Sequence, residues 1–223
     1  MRTHVVLLSL AAAVALAGCG SSKSASKSNF AKAINATLSK DCISINPTGG
    51  LNAFTNGSKY PIDVRKVEAS NSFFTRVTQE EADKRNAENF GRFEALVKAG
   101  LLTSTSGEVK DFMGHPAQGN SYALTPEGEK ALQRKDYSAF CVGHWQVKEV
   151  TNFTEPGKAI DGATRSSAQF TYVAAEIPAW ASVAEDAGYP GLKEQLESEG
   201  KGSADLVLTN EGWEAHVRTL NAK

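Results

Sequence analysis

The chain has 223 residues, with 24 Lys and Arg against 25 Asp and Glu, for a formal net charge of −1. A balance this close to neutral excludes a general electrostatic grip on nucleic acid. The length is sufficient to bury a real core, as one large unit or two small ones.

Arg2 and His4 form a short basic start, and Val5 to Leu16 is apolar except for Ser9. Residues 1–18 therefore have the proportions of a signal peptide, and the apolar run is shorter than the roughly 20 residues that cross a bilayer core. Directly behind it, Leu16-Ala17-Gly18-Cys19 resembles the lipobox of bacterial lipoproteins. The resemblance implies cleavage before Cys19 and acylation of that residue, which would make the lipid bilayer a partner. Two or three acyl chains hold stably where one binds only marginally, at about 0.8 kcal/mol per buried CH₂. A plain secretory signal with a coincidental cysteine is the other reading. In Gram-negative lipoproteins an aspartate after the cysteine favours retention at the inner membrane; Gly20 stands here, which favours the periplasmic side of the outer membrane. Removing residues 1–18 takes away one charged side chain, Arg2, and moves the net charge from −1 to −2. Residues 19–28 are small and polar with nothing to bury, and read as a lipidated flexible tether. Residues 29–223 form the globular part, with 29–138 and 139–223 as candidate subunits.

Export would place Cys42 and Cys141 in an oxidising compartment, where a disulfide is expected. Such a bridge closes a loop of about 100 residues, worth up to about 4.7 kcal/mol in the chain-entropy account. Two buried free thiols are the alternative.

Phe30, Ile34 and Leu38 are spaced as one face of a helix starting at Asn29, with Ser28 as its N-cap and its end near Cys42. Asn46 to Gly50 and Thr55 to Ser58 carry turn chemistry. Ile62, Val64, Val67 and Phe73-Phe74 suggest short strands. Thr78-x-x-Glu81 is a capping box, opening a helix through Ala82, Phe90, Phe93, Leu96 and Val97 that Gly100 ends in a left-handed conformation. Val109 to Phe112 and Ser121 to Leu124 then read as strands around a loop from Gly114 to Asn120. Thr125 caps a further helix with Pro126 at its first position. Phe140 to Phe153 and the alternating Ala168, Phe170, Tyr172 and Ala174 predict an antiparallel hairpin, whose first strand brings Cys141 back to Cys42. Ile177 to Trp180 turns the chain away.

Tyr122-x-Leu124-Thr125-Pro126-Glu127-Gly128-x-x-Ala131-Leu132 resembles the stretch after the wing strand of winged-helix regulators, and Ala99-Gly100-Leu101-Leu102 resembles the turn before their wing. The likeness covers residues 79–136 and implies a helix-hairpin-helix unit. It carries no DNA-reading residues, and no nucleic-acid partner is expected. Leu208-Thr209-Asn210-Glu211-Gly212-x-x-Ala215 repeats the Leu-Thr-x-Glu-Gly-x-x-Ala pattern of Leu124 to Ala131. It follows a helical Gly191 to Glu199 and a strand-like Ala204 to Leu208. This predicts a second strand-helix unit, either an internal duplication or a second use of a common cap. The fold class expected is α+β: a winged-helix-like unit plus an antiparallel sheet.

Motifs for chemistry are sparse. Cys141-x-x-His144 provides one cysteine and one histidine, which do not fill a tetrahedral metal site, and a bonded sulfur is no nucleophile. His115 reads as a loop residue and His216 as a residue of the last helix. Glu199 to Ser203 holds a Gly-Lys pair, yet Gln195 stands where a phosphate-binding loop needs glycine. Trp145, Trp180 and Trp213 could line a groove or fill the core. No catalytic residue, metal or cofactor is expected. The leading expectation is a non-enzymatic envelope lipoprotein that binds a protein or the cell wall; a small-molecule binder active against envelope stress is the alternative.

Overall fold

The computed structural model describes residues 21–49, 51, 54–72, 76–111, 113–133, 138–189 and 191–221. The lipobox, Cys19 and Phe73-Phe74 fall outside them.

Helix α1, Lys27–Leu38, starts two residues before the expected Asn29, because Ser26 and not Ser28 is its N-cap, accepting from Asn29 N at 3.2 Å. The expected tether is also shorter. The Trp213 indole donates to the carbonyls of Lys23 and Ser24, both at 3.2 Å, and the Asn29 amide donates to those of Ser21 and Ser24. A small polar segment has no side chains to bury, but its backbone acceptors are enough to fasten it.

Three short strands follow, β1 (Ile43–Ile45), β2 (Ile62–Arg65) and β3 (Ser70–Asn71), the last paired with β4 (Arg76–Val77). Between β2 and β3, Val67 has a helix side chain as its strand-like partner: Asn86 accepts from its N–H at 2.7 Å and donates to its carbonyl at 2.8 Å. Helix α2, Gln79–Lys98, opens with the Thr78–Glu81 capping box. It closes with Gly100 at φ +77, where Leu101 N bonds Leu96 O and Gly100 N bonds Val97 O, a Schellman motif.

Strands β5 (Leu102–Lys110) and β6 (Pro116–Leu124) make a longer hairpin than expected, and the loop shrinks to residues 111–115. Asp111 shapes that turn by accepting from the N–H groups of Met113 (2.9 Å) and His115 (2.8 Å). Gly119, a loop signal in the sequence, is instead mid-strand. A Cβ there would strike the Val64 carbonyl of the neighbouring β2. Helix α3, Pro126–Ala131, carries the expected Thr125 cap and Pro at its start.

Strand β7 (Phe140–Phe153) pairs antiparallel with β9 (Thr164–Ala175), as the alternation predicts, and two-residue β8 (Gly157–Lys158) also pairs β9. Helix α4 (Trp180–Gly188) was not expected, since Ala181 and Ala184, its buried face against α2, leave little hydrophobic periodicity. Helix α5 (Leu192–Glu197) buries Leu192 and Leu196. Strand β10 (Gly200–Leu208) then pairs with β11 (Trp213–Asn221).

This last pairing corrects the expected second strand-helix unit: Thr209 to Gly212 is a hairpin turn and His216 lies on a strand. Thr209 N bonds Gly212 O at 2.8 Å while Gly212 adopts φ +136. The two copies of Leu-Thr-x-Glu-Gly hold different structures.

The fold is thus α+β and largely antiparallel. A six-stranded sheet has the order β1-β7-β9-β10-β11 with β8 beside β9, and a three-stranded sheet has the order β2-β6-β5. One core lies between α1 and the larger sheet: Phe30, Ile34 and Leu38 meet Val150, Phe170, Leu206 and Trp213. Burial of each such side chain is worth about 1.5–3 kcal/mol. The second joins Phe93 and Leu96 of α2 to Tyr122, Phe140, Ala181 and Leu196. Both cores draw on residues from either side of position 138.

Candidate functional site

Strand parity divides the larger sheet into two unlike faces. Ala168, Phe170 and Tyr172 of β9 and Ala204 and Leu206 of β10 point at α1 and are buried. Residues of opposite parity, among them Gln169, Thr171, Lys201 and Ser203, flank a groove of about 420 Å³ with Thr151 and Thr219. Gly200 and Gly202 make the buried side possible. A Cβ on either would run into the ring of Tyr172 or Phe170, so the missing side chains let the aromatics of β9 lie across β10. The Gly-Lys pair that resembled part of a phosphate loop is therefore a strand device, with Lys201 left on the open face. This face offers hydroxyls, an amide and one ammonium group, chemistry suited to hydrogen-bonded recognition rather than proton transfer.

A second site lies where β7 begins. Cys42 and Cys141 form a disulfide with Cα atoms 5.6 Å apart, joining the segment after α1 to the sheet. His144 Nε2 lies 3.9 Å from Cys141 Sγ, and Nδ1 lies 3.0 Å from the Asp41 carbonyl. A carbonyl only accepts, so Nδ1 carries a proton and donates it to this hydrogen bond, while Nε2 faces the sulfur. Glu176, a non-glycine residue at φ +56, borders the same hollow of about 380 Å³ together with Trp180 and Lys130. Gly143, at φ +140, permits this corner, because a Cβ would press on the Ala175 carbonyl. While the disulfide is closed, Cys141 has neither a proton to give nor a thiolate to attack with.

No protein-family model, curated protein or solved structure matches this chain.

The other residues singled out by sequence have structural surroundings. His115 lies 3.4 Å from the Asp111 carboxylate in the exposed turn, and the backbone N–H of His115 is the main cause that lowers the Asp111 pKa. Trp145 meets Tyr172 edge-on at 5.0 Å, Trp180 meets Phe140 at 6.4 Å, and Trp213 meets Phe30 at 4.8 Å. Burial raises the Tyr60, Tyr122 and Tyr189 hydroxyls well above the ordinary tyrosine range. Two of these phenols donate hydrogen bonds, Tyr122 to the Glu94 carboxylate at 2.8 Å and Tyr60 to the Ser138 carbonyl at 3.3 Å, while the buried Tyr189 hydroxyl has no hydrogen-bond partner among the described residues. Among the described residues no three His, Cys, Asp or Glu side chains cluster as metal ligands, and no helix is long and apolar enough to cross a membrane.

Sequence reading did not single out the open face or Glu176. The face could have been found by pairing the Gly200-x-Gly202 spacing with Phe170-x-Tyr172, since glycines opposite aromatics mark strands that cross closely. Nothing local marks Glu176 as left-handed.

Proposed function

We propose that this protein is a bacterial envelope lipoprotein, fastened to the bilayer through acylated Cys19, whose domain binds an envelope protein or the cell wall without catalysing a reaction. Supporting it is the division of the larger sheet. One face is closed by α1 and holds Ser21 to Ser24 against Trp213, two residues after Cys19, while the other is open, polar and grooved. A binding module on a membrane anchor needs those two features and no acid–base pair. The order α2, β5, β6, α3 reads as a winged-helix-like unit acting as a packing support, since its α2 side buries Phe93 and Leu96 in the second core. The Leu16-Ala17-Gly18-Cys19 pattern favours the envelope as location, and Gly20 favours the outer membrane.

The test is photo-crosslinking in intact envelopes, with benzoylphenylalanine placed at Thr171 or Ser203 on the open face. A discrete adduct with a protein or with cell-wall polymer is expected from both positions. Absence of any adduct above an unlipidated Cys19→Ala control contradicts the reading. A second reading, a small-ligand binder, draws on the hollow beside His144 and the left-handed Glu176, because strained residues cluster at binding sites. A thermal-shift screen separates the two, since a ligand of the native state raises the unfolding midpoint.

A further inference from the structure

The hairpin of β8 and β9 closes through Ala159 to Gly162, with Ala159 N bonded to Ala163 O and Gly162 N to Ala159 O, both at 2.9 Å. Ile160 stands in this turn with its side chain completely exposed, at 111% of the reference area. The register fixes where the turn points. Gly157 and Val207 both pair with Arg165, from opposite sides of β9, so the Ala159–Gly162 and Thr209–Gly212 turns leave the same end of the sheet. Their centres are two strand spacings apart, about 10 Å.

The amino-terminal segment lies at that end too. The Ser22 hydroxyl donates to the Glu211 carbonyl at 3.5 Å. Cys19 precedes Ser22 by three residues, at most about 11 Å of chain. Acyl chains on Cys19 would therefore bring the bilayer surface within reach of Ile160.

We infer that the Ile160 turn enters the bilayer beside the acyl chains of Cys19, making the lipid surface the partner of this end of the sheet. The inference rests on Cys19 being the lipidated residue. Around the turn the charges balance: Lys158 and Lys23 stand against Glu155 and Glu211, and Arg165 pairs with Asp161. The contact is apolar, and it does not depend on anionic lipid.

Ile177 provides the internal control. It is also exposed, at 45%, but follows the other end of β9, about 40 Å along a strand of 12 residues.

The test uses the full acylated chain carrying Ile160→Cys or Ile177→Cys. With Cys19 acylated and Cys42 bonded to Cys141, the new thiol is the one that labels. Each variant takes an environment-sensitive fluorophore and is placed in vesicles of phosphatidylethanolamine and phosphatidylglycerol. Intact mass verifies the acyl group, and circular dichroism verifies the fold. Quenching by aqueous iodide is expected to be severalfold weaker at position 160 than at 177, and to stay so when phosphatidylglycerol is replaced by phosphatidylcholine. Equal quenching at both positions in acylated protein overturns the inference and leaves the lipoprotein reading standing. Absence of the acyl group on Cys19 ends both.

Discussion

Leu124 to Gly128 and Leu208 to Gly212 share the pattern Leu-Thr-x-Glu-Gly, yet one enters a helix and the other reverses a strand. In the first, Thr125 is held from behind by the turn that follows α2: its hydroxyl donates to the Gly100 carbonyl at 2.7 Å, and its N–H donates to the Leu101 carbonyl at 3.0 Å. The same hydroxyl accepts from Gly128 N at 3.0 Å, and Pro126 presets the helical φ. In the second, Thr209 bonds within its own turn instead. Its N–H and its hydroxyl both reach the Gly212 carbonyl, at 2.8 and 2.9 Å, and close a turn. The final glycine differs as well: Gly128 is required by contact, since a Cβ would meet the Leu101 carbonyl, and Gly212 by its φ of +136. Threonine and glycine thus mark a change of direction, and the residues behind and ahead choose between helix and hairpin.

Substitutions sharpen this contrast. Trp213→Ala, at the start of β11, should have the largest effect, about 3–5 kcal/mol lost in denaturant unfolding, because the indole fills the α1 core and fastens the Ser21 segment. Gly128→Ala should lose about 1–3 kcal/mol by forcing the new methyl onto the Leu101 carbonyl, and should also expose α3 to faster hydrogen exchange. Gly212→Ala, strained at φ +136 and with its new methyl 3.3 Å from the Ser22 carbonyl, should lose about 1–2 kcal/mol, with the exchange change confined to β10, β11 and the Ser21 to Ser24 segment. Thr125→Ala should cost about 1 kcal/mol through the lost cap. Pro126→Asn should cost least, about 0.4–1 kcal/mol, since the proline acts through the unfolded chain. If Pro126→Asn turned α3 into a hairpin, proline alone would decide the outcome and the role assigned to Leu101 would be wrong.

Features written in neighbouring residues were legible: the Thr78–Glu81 box, Gly100, the Thr125-Pro126 start and the alternating β9. The Cys42–Cys141 pairing followed from the compartment that the lipobox resemblance implies. Features written in distant contacts were not. Thr103 to Ser106 become strand only because β6 lies alongside, and Ala181 becomes core only because α2 covers it. The alternation of Trp213, Ala215 and Val217 was present in the sequence but was masked by the repeated motif, which drew the segment toward a helix. The candidate site was less legible still. Thr171, Lys201 and Ser203 belong to no local pattern and become neighbours only through the register of β9 and β10.

Anchoring depends on the state of the Cys19 sulfur, and the intact mass of the native protein from the membrane fraction, alkylated with and without prior reduction, reads it directly. The expected chain begins at Cys19, carries acyl groups there, and gains two alkyl groups only after reduction, one each on Cys42 and Cys141. A chain that retains Met1 and alkylates at Cys19 without reduction would contradict the account.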